Sequence, residues 1–414
     1  MRQVTGRLVF GMVVLGCAMG LGRGASPQTV RDPGDSLRAV KSSSYQIETD
    51  VDQATIDEIG RHMDRIFREY TKRFSDYPVR NATALKLWVF ERQADYGEYL
   101  AGMGVNAAGS GGMFFVSGKG AGLATFLEGR PLEVVLETLR HEGLHQFAYL
   151  RVHESLPQWV NEGLGEYFGY SVETRAGIEP GVVDESALSR LHEAIEKDDV
   201  FTLGDLLFMT NGEWNARVNS GDARAVVMYD QSWSVVHFLM HAERGKYERL
   251  LWDFLRASWQ GLSPEQASEK IFTRDLDAMD KAWREYVAGL KPDPIVEAKS
   301  RLGIFERALR ELHEADQHPK DLDELARVLR ERGFAGTYAR GETERPIDGD
   351  PDGPGGWWMA FPESLRGRAA VIRFTPDRRK ARPPNVEIRG LRQPVRLIWK
   401  LERDGTLISD ILVG

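Results

Sequence analysis

His141-Glu142-Gly143-Leu144-His145, followed by Trp159-Val160-Asn161-Glu162-Gly163-Leu164-Gly165-Glu166-Tyr167, is the stretch on which the reading of this chain turns. The first five residues follow an H-E-x-x-H pattern. On a helix, residues four apart share a face, so both imidazoles can reach one Zn²⁺, and Glu142 stands beside the water such a metal activates. Glu162, 17 residues beyond His145 (162 − 145), offers a third ligand. Three protein ligands leave one coordination position open for water or substrate, which is the arrangement of a catalytic zinc site.

The surroundings supply the helices this geometry needs. Pro131 to Arg140 runs straight into the motif, and Val135, Leu136, Leu139, Leu144 and Ala148 recur at helical spacing. Glu162 falls in a second helical stretch, with Pro157 suited to its first turn and Val160, Leu164 and Phe168 as its apolar stripe. Two core-facing histidines beside a solvated glutamate would be the plain alternative, but it leaves the second carboxylate-bearing helix without a purpose.

H-E-G-L-H with L-P-Q-W-V-N-E-G-L-G-E-Y resembles the gluzincin (peptidase-MA-like) class of zinc metallopeptidases, related to the thermolysin and aminopeptidase N groups, over roughly residues 45–292. The resemblance implies one Zn²⁺ held by His141, His145 and Glu162, with Glu142 as general base. It makes Glu166, one turn after Glu162, a carboxylate that orients a histidine ligand; the alternative is an ordinary exposed helix carboxylate. It points to Tyr229, 67 residues after Glu162 (229 − 162), as the donor to a developing oxyanion. A buried structural tyrosine is the alternative there. His237 and His241 are weaker candidates for the same role, and His153 reads as a loop histidine. The strand before the zinc helix, at Gly112, Met113 and Phe114, would hold the substrate backbone by edge pairing. The aminopeptidase N group carries G-x-M-E-N at that place, where the acid binds a free amine. Here Phe114 follows Met113, which favours an endopeptidase.

The fold class expected is α+β: a zincin-like domain, with a small, mostly antiparallel sheet and a helical lobe, then a smaller C-terminal β-rich domain. Tyr45–Thr49 and Leu85–Phe90 read as strands around an amphipathic helix marked by Ile56, Ile59, Met63, Ile66 and Tyr70. Gly112–Val116 and Leu123–Leu127 read as a strand pair. Helices are expected over 224–243 and 275–287. The expected division is a signal peptide at 1–25, a flexible linker at 26–44, the metallopeptidase domain at 45–292, a helical connector at 293–335 and the β-rich domain at 336–414. In that last part 357–361, 370–374, 386–389, 395–401 and 407–412 read as strands, with Asp404-Gly405 as a hairpin turn. Asp348–Gly356 is a loop whose acidic spacing is loosely that of a Ca²⁺ loop, without the closing glutamate.

The apolar run Leu8–Gly22 follows Arg2 and Arg7 and is too short for a membrane span, but it suits export. Cys17 is the only cysteine. Val14-Leu15-Gly16-Cys17 resembles a bacterial lipoprotein signal, and plain cleavage near Gly24-Ala25 is the equal alternative. Either way the mature chain has no disulfide and rests on its core and its metal. The expected location is therefore periplasm, cell envelope or the exterior, with membrane contact only through an N-terminal lipid. A net charge of −8 gives no reason to expect nucleic acid. Residues 363–404 carry 12 Arg and Lys against 5 Asp and Glu, as a β-sheet with wet basic faces would. The functional expectation is a zinc-dependent peptidase acting on a peptide or protein substrate. The alternative is an envelope-associated binding or scaffold protein with a zincin fold and little turnover. Retention of the base Glu142 favours the enzyme. Substrate identity and oligomeric state have no signature in the sequence.

Overall fold

A computed structural model of the chain describes residues 13–14, 37–77, 85–118, 120–153, 156–220, 224–272, 275–340, 343–359, 370–402 and 405–414. Cys17 and nearly all of the expected signal and tether lie outside these. The architecture is mixed α+β with a β-rich C-terminal region. It divides into two compact units, residues 1–171 with 189–290, and residues 172–188 with 291–414. Among the described residues no helix is long and apolar enough to cross a membrane.

In the first unit a two-residue strand β1 (Val13–Val14) precedes β2 (Arg38–Lys41), β3 (Tyr45–Thr49), α1 (Gln53–Arg73), β4 (Leu85–Phe90), α2 (Gln93–Gly102), β5 (Gly112–Ser117) and β6 (Gly120–Phe126). β3 alternates as its sequence predicts: Tyr45, Ile47 and Thr49 are buried and Gln46 and Glu48 are exposed. α1 buries Ile56, Ile59, Met63, Ile66 and Tyr70 on one face, and the Asp52 carboxylate caps it by accepting from the Thr55 amide. The expected linker ends earlier than 44, because β2 pairs antiparallel with β3. Asp64 of α1 fixes that turn. Its carboxylate accepts from the Ser42 hydroxyl at 2.8 Å and from the Ser43 and Ser44 amides at 2.9 and 2.8 Å.

The sheet order is β1-β5-β6-β4-β3-β2. It is mixed rather than mostly antiparallel: β3–β4 and β4–β6 run parallel, β5–β6 and β2–β3 antiparallel. The cause is connectivity. α1 carries the chain from β3 back to the same end of the sheet, and such a helical crossover makes neighbours parallel. The helices follow: α3 (Leu132–Arg151), α4 (Gln158–Gly169), α5 (Glu185–Glu196), α6 (Leu203–Leu207), α7 (Asn211–Asn219), α8 (Ala225–His241), α9 (Glu248–Trp259), α10 (Pro264–Ile271) and α11 (Leu276–Gly289), with β7 (Val172–Thr174) and β8 (Gly177–Glu179) between α4 and α5. α3 packs on β5 and β6, on α1 and on α4, and α4 packs on α8.

The second unit has α12 (Pro294–Glu314), α13 (Leu322–Glu331), a hairpin of β9 (Ala335–Arg340) and β10 (Thr343–Asp348), and β11 (Val371–Thr375), β12 (Asn385–Arg389), β13 (Val395–Leu401) and β14 (Leu407–Val413). Its main sheet has the order β11-β12-β13-β14-β7-β8. Two expectations change here. Residues 293–335 are not a connector: Leu302, Phe305, Leu309, Leu325 and Leu329 share one apolar core with Val386, Ile388, Leu397 and Trp399. Helices with so strong an apolar face must bury it, and the adjacent sheet takes it. The boundary is also discontinuous in sequence, because β7 and β8 leave the helical run and join this sheet beside β14.

Trp357 and Trp358 were expected in a strand. They lie instead in a 3₁₀ turn, Pro354–Met359, where Trp358 is fully buried and its indole donates to the Asp348 carbonyl at 3.0 Å. The acidic loop before it closes on itself: Asp348 and Asp350 accept from the amides of Asp350 and Asp352 at 2.8 and 3.3 Å. β13 and β14 pair antiparallel around Gly405, whose φ of 89° suits glycine; Asp404 lies outside the described residues. Much of the basic surplus is paired within the unit. Arg389 meets Glu387 at 2.7 Å, Arg392 meets Glu179 at 2.6 Å and Asp293 at 3.0 Å, and Lys400 meets Asp410.

Candidate metal centre

α3 and α4 bring the motif residues together, and two buried contacts hold α3 in place, one to α4 and one to α1. Arg140 donates through Nε to the Gly169 carbonyl at 3.0 Å, so a buried cation meets the negative end of α4. Tyr70 of α1 donates its hydroxyl to the Arg140 carbonyl. His141 and His145 then follow on the inward face of α3, and Glu162 faces them from α4. His141, Glu142, His145, Glu162 and Glu166 are all between 1% and 5% exposed.

His141, Glu142 and His145 form a buried group able to hold a metal ion, with ligand atoms within 4.8 Å of one another. Glu162 comes closer still to the rings. Its Oε2 is 3.2 Å from His141 Nε2 and 3.4 Å from His145 Nε2, and the two Nε2 atoms are 2.9 Å apart. A tetrahedral zinc with ligand bonds of about 2.0–2.1 Å has ligand-to-ligand edges of about 3.3–3.4 Å. The two nitrogens and this oxygen are spaced close to such an edge. Glu142 is engaged elsewhere: its Oε2 accepts the Phe114 amide at 2.7 Å. Its Oε1 is buried with no hydrogen-bond partner among the described residues, which is costly unless a ligand or water meets it.

The charges favour a cation. Burial pulls His141 down, but the Glu162 hydrogen bond and the charges of Glu166 and Glu142 outweigh it and raise its pKa to about 9. Burial works against the Glu162 carboxylate, yet the neighbouring His145 and His141 hold its pKa down to about 2. Glu142 is raised, chiefly by burial, with the two histidines and the Phe114 amide opposing. Glu166 is not an exposed helix carboxylate. Its Oε1 stands 3.8 Å from His141 Nδ1, on the side of the ring away from Glu162.

Tyr229 lies near the start of α8, 6% exposed, with Trp214 of α7 against its ring at 5.4 Å, edge to face. Its phenol is raised well above the ordinary value by burial first and then by the charge of Glu162, with Glu166 and Glu142 adding. These carboxylates put Tyr229 in the electrostatic neighbourhood of the centre. Next to it, Asp230 takes a bidentate ion pair from Arg190 at 2.7 and 2.8 Å, which pins this turn of α8. His237 and His241, the weaker candidates, sit about two and three turns later with other partners. His237 Nδ1 meets the Tyr286 hydroxyl at 2.7 Å and His241 Nε2 meets the Tyr167 hydroxyl at 2.9 Å. His153 follows the end of α3.

Gly112, Met113 and Phe114 form the start of β5, paired with β6 on one side. Farther along, Phe115 and Val116 pair in parallel with β1. A side chain at 112 would press on Thr138 at 2.8 Å and the Ala124 carbonyl at 3.1 Å, so glycine lets α3 approach the sheet. Phe114 is fully buried against Tyr149 at 5.4 Å. Trp214 and the Arg190–Asp230 pair carry no signature in the sequence, since both depend on how distant helices meet.

A family profile described as a protein of unknown function (DUF1570) matches residues 135–257. The matched stretch starts in α3, ends in α9, and so contains both motif helices and Tyr229. Comparison with curated proteins finds no match.

Proposed function

We propose that this protein is a zinc-dependent peptidase of the gluzincin type, acting on peptide or protein substrates at the cell envelope after export. The observation that carries the reading is the convergence of His141 Nε2, His145 Nε2 and Glu162 Oε2, with the Glu142 carboxylate beside them. Two imidazoles and a carboxylate are a ligand set suited to zinc. When bound, zinc supplies a Lewis acid that activates water and polarises a carbonyl.

The protein's own groups then have separate tasks. Glu142 accepts and returns a proton; burial raises its pKa toward the working range of a base, and the Phe114 amide holds one of its oxygens so that the other is available. Glu166 orients His141 through Nδ1. Tyr229 donates its hydroxyl to the oxygen that gains charge. On β5 the backbone left for a substrate is at Gly112 and Met113, since the Phe114 amide is held by Glu142 and Phe115 and Val116 pair with β1. With a buried phenylalanine at 114 and no acid there to take a free amine, internal peptide bonds are the expected targets.

The test is metal analysis of purified protein together with digestion of a peptide library. One zinc per chain and cleavage at internal bonds are expected. Absence of bound zinc after reconstitution would sink the proposal. Within it, Tyr229→Phe should lower kcat about 10²–10³-fold, as loss of one oxyanion donor does, with zinc content unchanged. Unaltered kcat in that variant would remove Tyr229 from the chemistry and make it a packing residue against Trp214.

A further inference from the structure

α4 contains glycines at 163, 165 and 169 within its 12 residues. Interior glycine weakens a helix relative to alanine, so each such position invites a reason. At Gly163 the reason is packing: a Cβ would meet the Ser232 carbonyl of α8 at 2.5 Å. At Gly165 the neighbour is different. A Cβ there would meet the His141 ring at Cε1, Nδ1 and Nε2, at 2.8, 3.0 and 3.0 Å. At Gly169 the nearest atom is the His141 Cβ at 3.6 Å, an ordinary contact.

We infer that Gly165 is a positioning residue: its bare Cα is the seat against which the His141 imidazole is held with Nε2 toward the metal and Nδ1 toward Glu166. The ring is bounded on its two nitrogens by Glu162 at 3.2 Å and Glu166 at 3.8 Å. Gly165 lies between these two carboxylates in sequence and faces the Cε1 edge of the ring, while the His145 ring stands edge-on to it at 4.6 Å. A methyl group at 165 forces the imidazole to swing or tilt. The atoms met belong to a side chain and not to backbone, so in the metal-free protein a turn of the His141 torsion is the expected relief. With metal it is not, because a ligand must point within a narrow angle. The inference rests on the zinc reading of the site.

The experiment is zinc titration of metal-free protein against a competing chelator, paired with thermal unfolding of the metal-free forms. Gly165→Ala should bind zinc about 10–100-fold more weakly, in the range seen when the support of a ligand is lost, with an unfolding midpoint equal to or above that of the wild type. Gly169→Ala should leave zinc affinity within about twofold of wild type, a change too small to register as a lost ligand. Gly163→Ala, which strikes backbone, should lower the midpoint. Equal zinc affinity in Gly165→Ala and wild type overturns the inference. So does failure of Gly165→Ala to fold, or a fall in its midpoint matching that of Gly163→Ala, since either makes the glycine a packing residue. Failure of the wild type itself to bind zinc overturns the functional reading instead.

Discussion

On the proposed zinc-peptidase reading, Glu142→Gln should retain one zinc per chain and lose about 10²–10⁴-fold in turnover, the range attributed to a positioned general base. Glutamine keeps the size of the side chain, and its amide oxygen can still accept the Phe114 N–H that now meets Glu142 Oε2 at 2.7 Å. What it cannot do is take a proton. The variant should be at least as stable as the wild type. Glu142 is 1% exposed, and its charged form is disfavoured by burial; a neutral amide of the same shape relieves that cost. This separates the base from a structural residue, for which loss of activity and loss of stability would come together. Turnover on the peptide substrate, zinc content and a thermal melt decide it. Wild-type turnover in Glu142→Gln would place the base elsewhere, and a protein that loses its zinc with the substitution would make Glu142 a ligand.

How much of this could be read in the sequence depends on whether the information is local. His141 and His145 are four residues apart, so one helix suffices to bring them onto a face, with Glu142 one step round from His141. Glu162 needed only the next helix. β3, α1 and β13 were legible because their apolar residues repeat with a clear period of 2.0 or 3.6 residues. The parallel pairings of β3, β4 and β6 were not, because period-2 alternation gives a strand no direction. The tryptophans at 357 and 358 look like strand residues by composition, yet a 3₁₀ turn rich in Gly and Pro buries Trp358 and satisfies its indole with Asp348. β7 and β8 are three residues each, too short for any periodicity to report, so their departure from the helical run left no trace. Glu166 could be assigned only by resemblance, because a lone helix carboxylate is normally exposed; its burial follows from the close approach of α3 to α4.

The same approach makes Glu162 the residue whose loss should cost most. Among the described residues Glu162 is the only carboxylate in ion-pair contact with both Nε2 atoms, at 3.2 and 3.4 Å; Glu162→Gln removes that charge and keeps the volume of the side chain. Zinc affinity should fall by more than the roughly 10–100-fold that loss of an outer partner costs, and peptidase turnover should fall to background with it. Glu166→Gln is the matched comparison. It sits 3.8 Å from Nδ1 of one ring only, so its effect should stay within that 10–100-fold range and excess zinc should restore most of the turnover. The order follows from placement: a carboxylate facing both Nε2 atoms competes with water for the ion itself, whereas one behind a ring only sets the tautomer and angle of a ligand that remains. Chelator competition on the two variants, read beside turnover at saturating zinc, distinguishes these roles. A Glu162→Gln protein that binds zinc as the wild type does would leave His141, His145 and Glu142 as the ligand set, and the chemistry would then need a base other than Glu142.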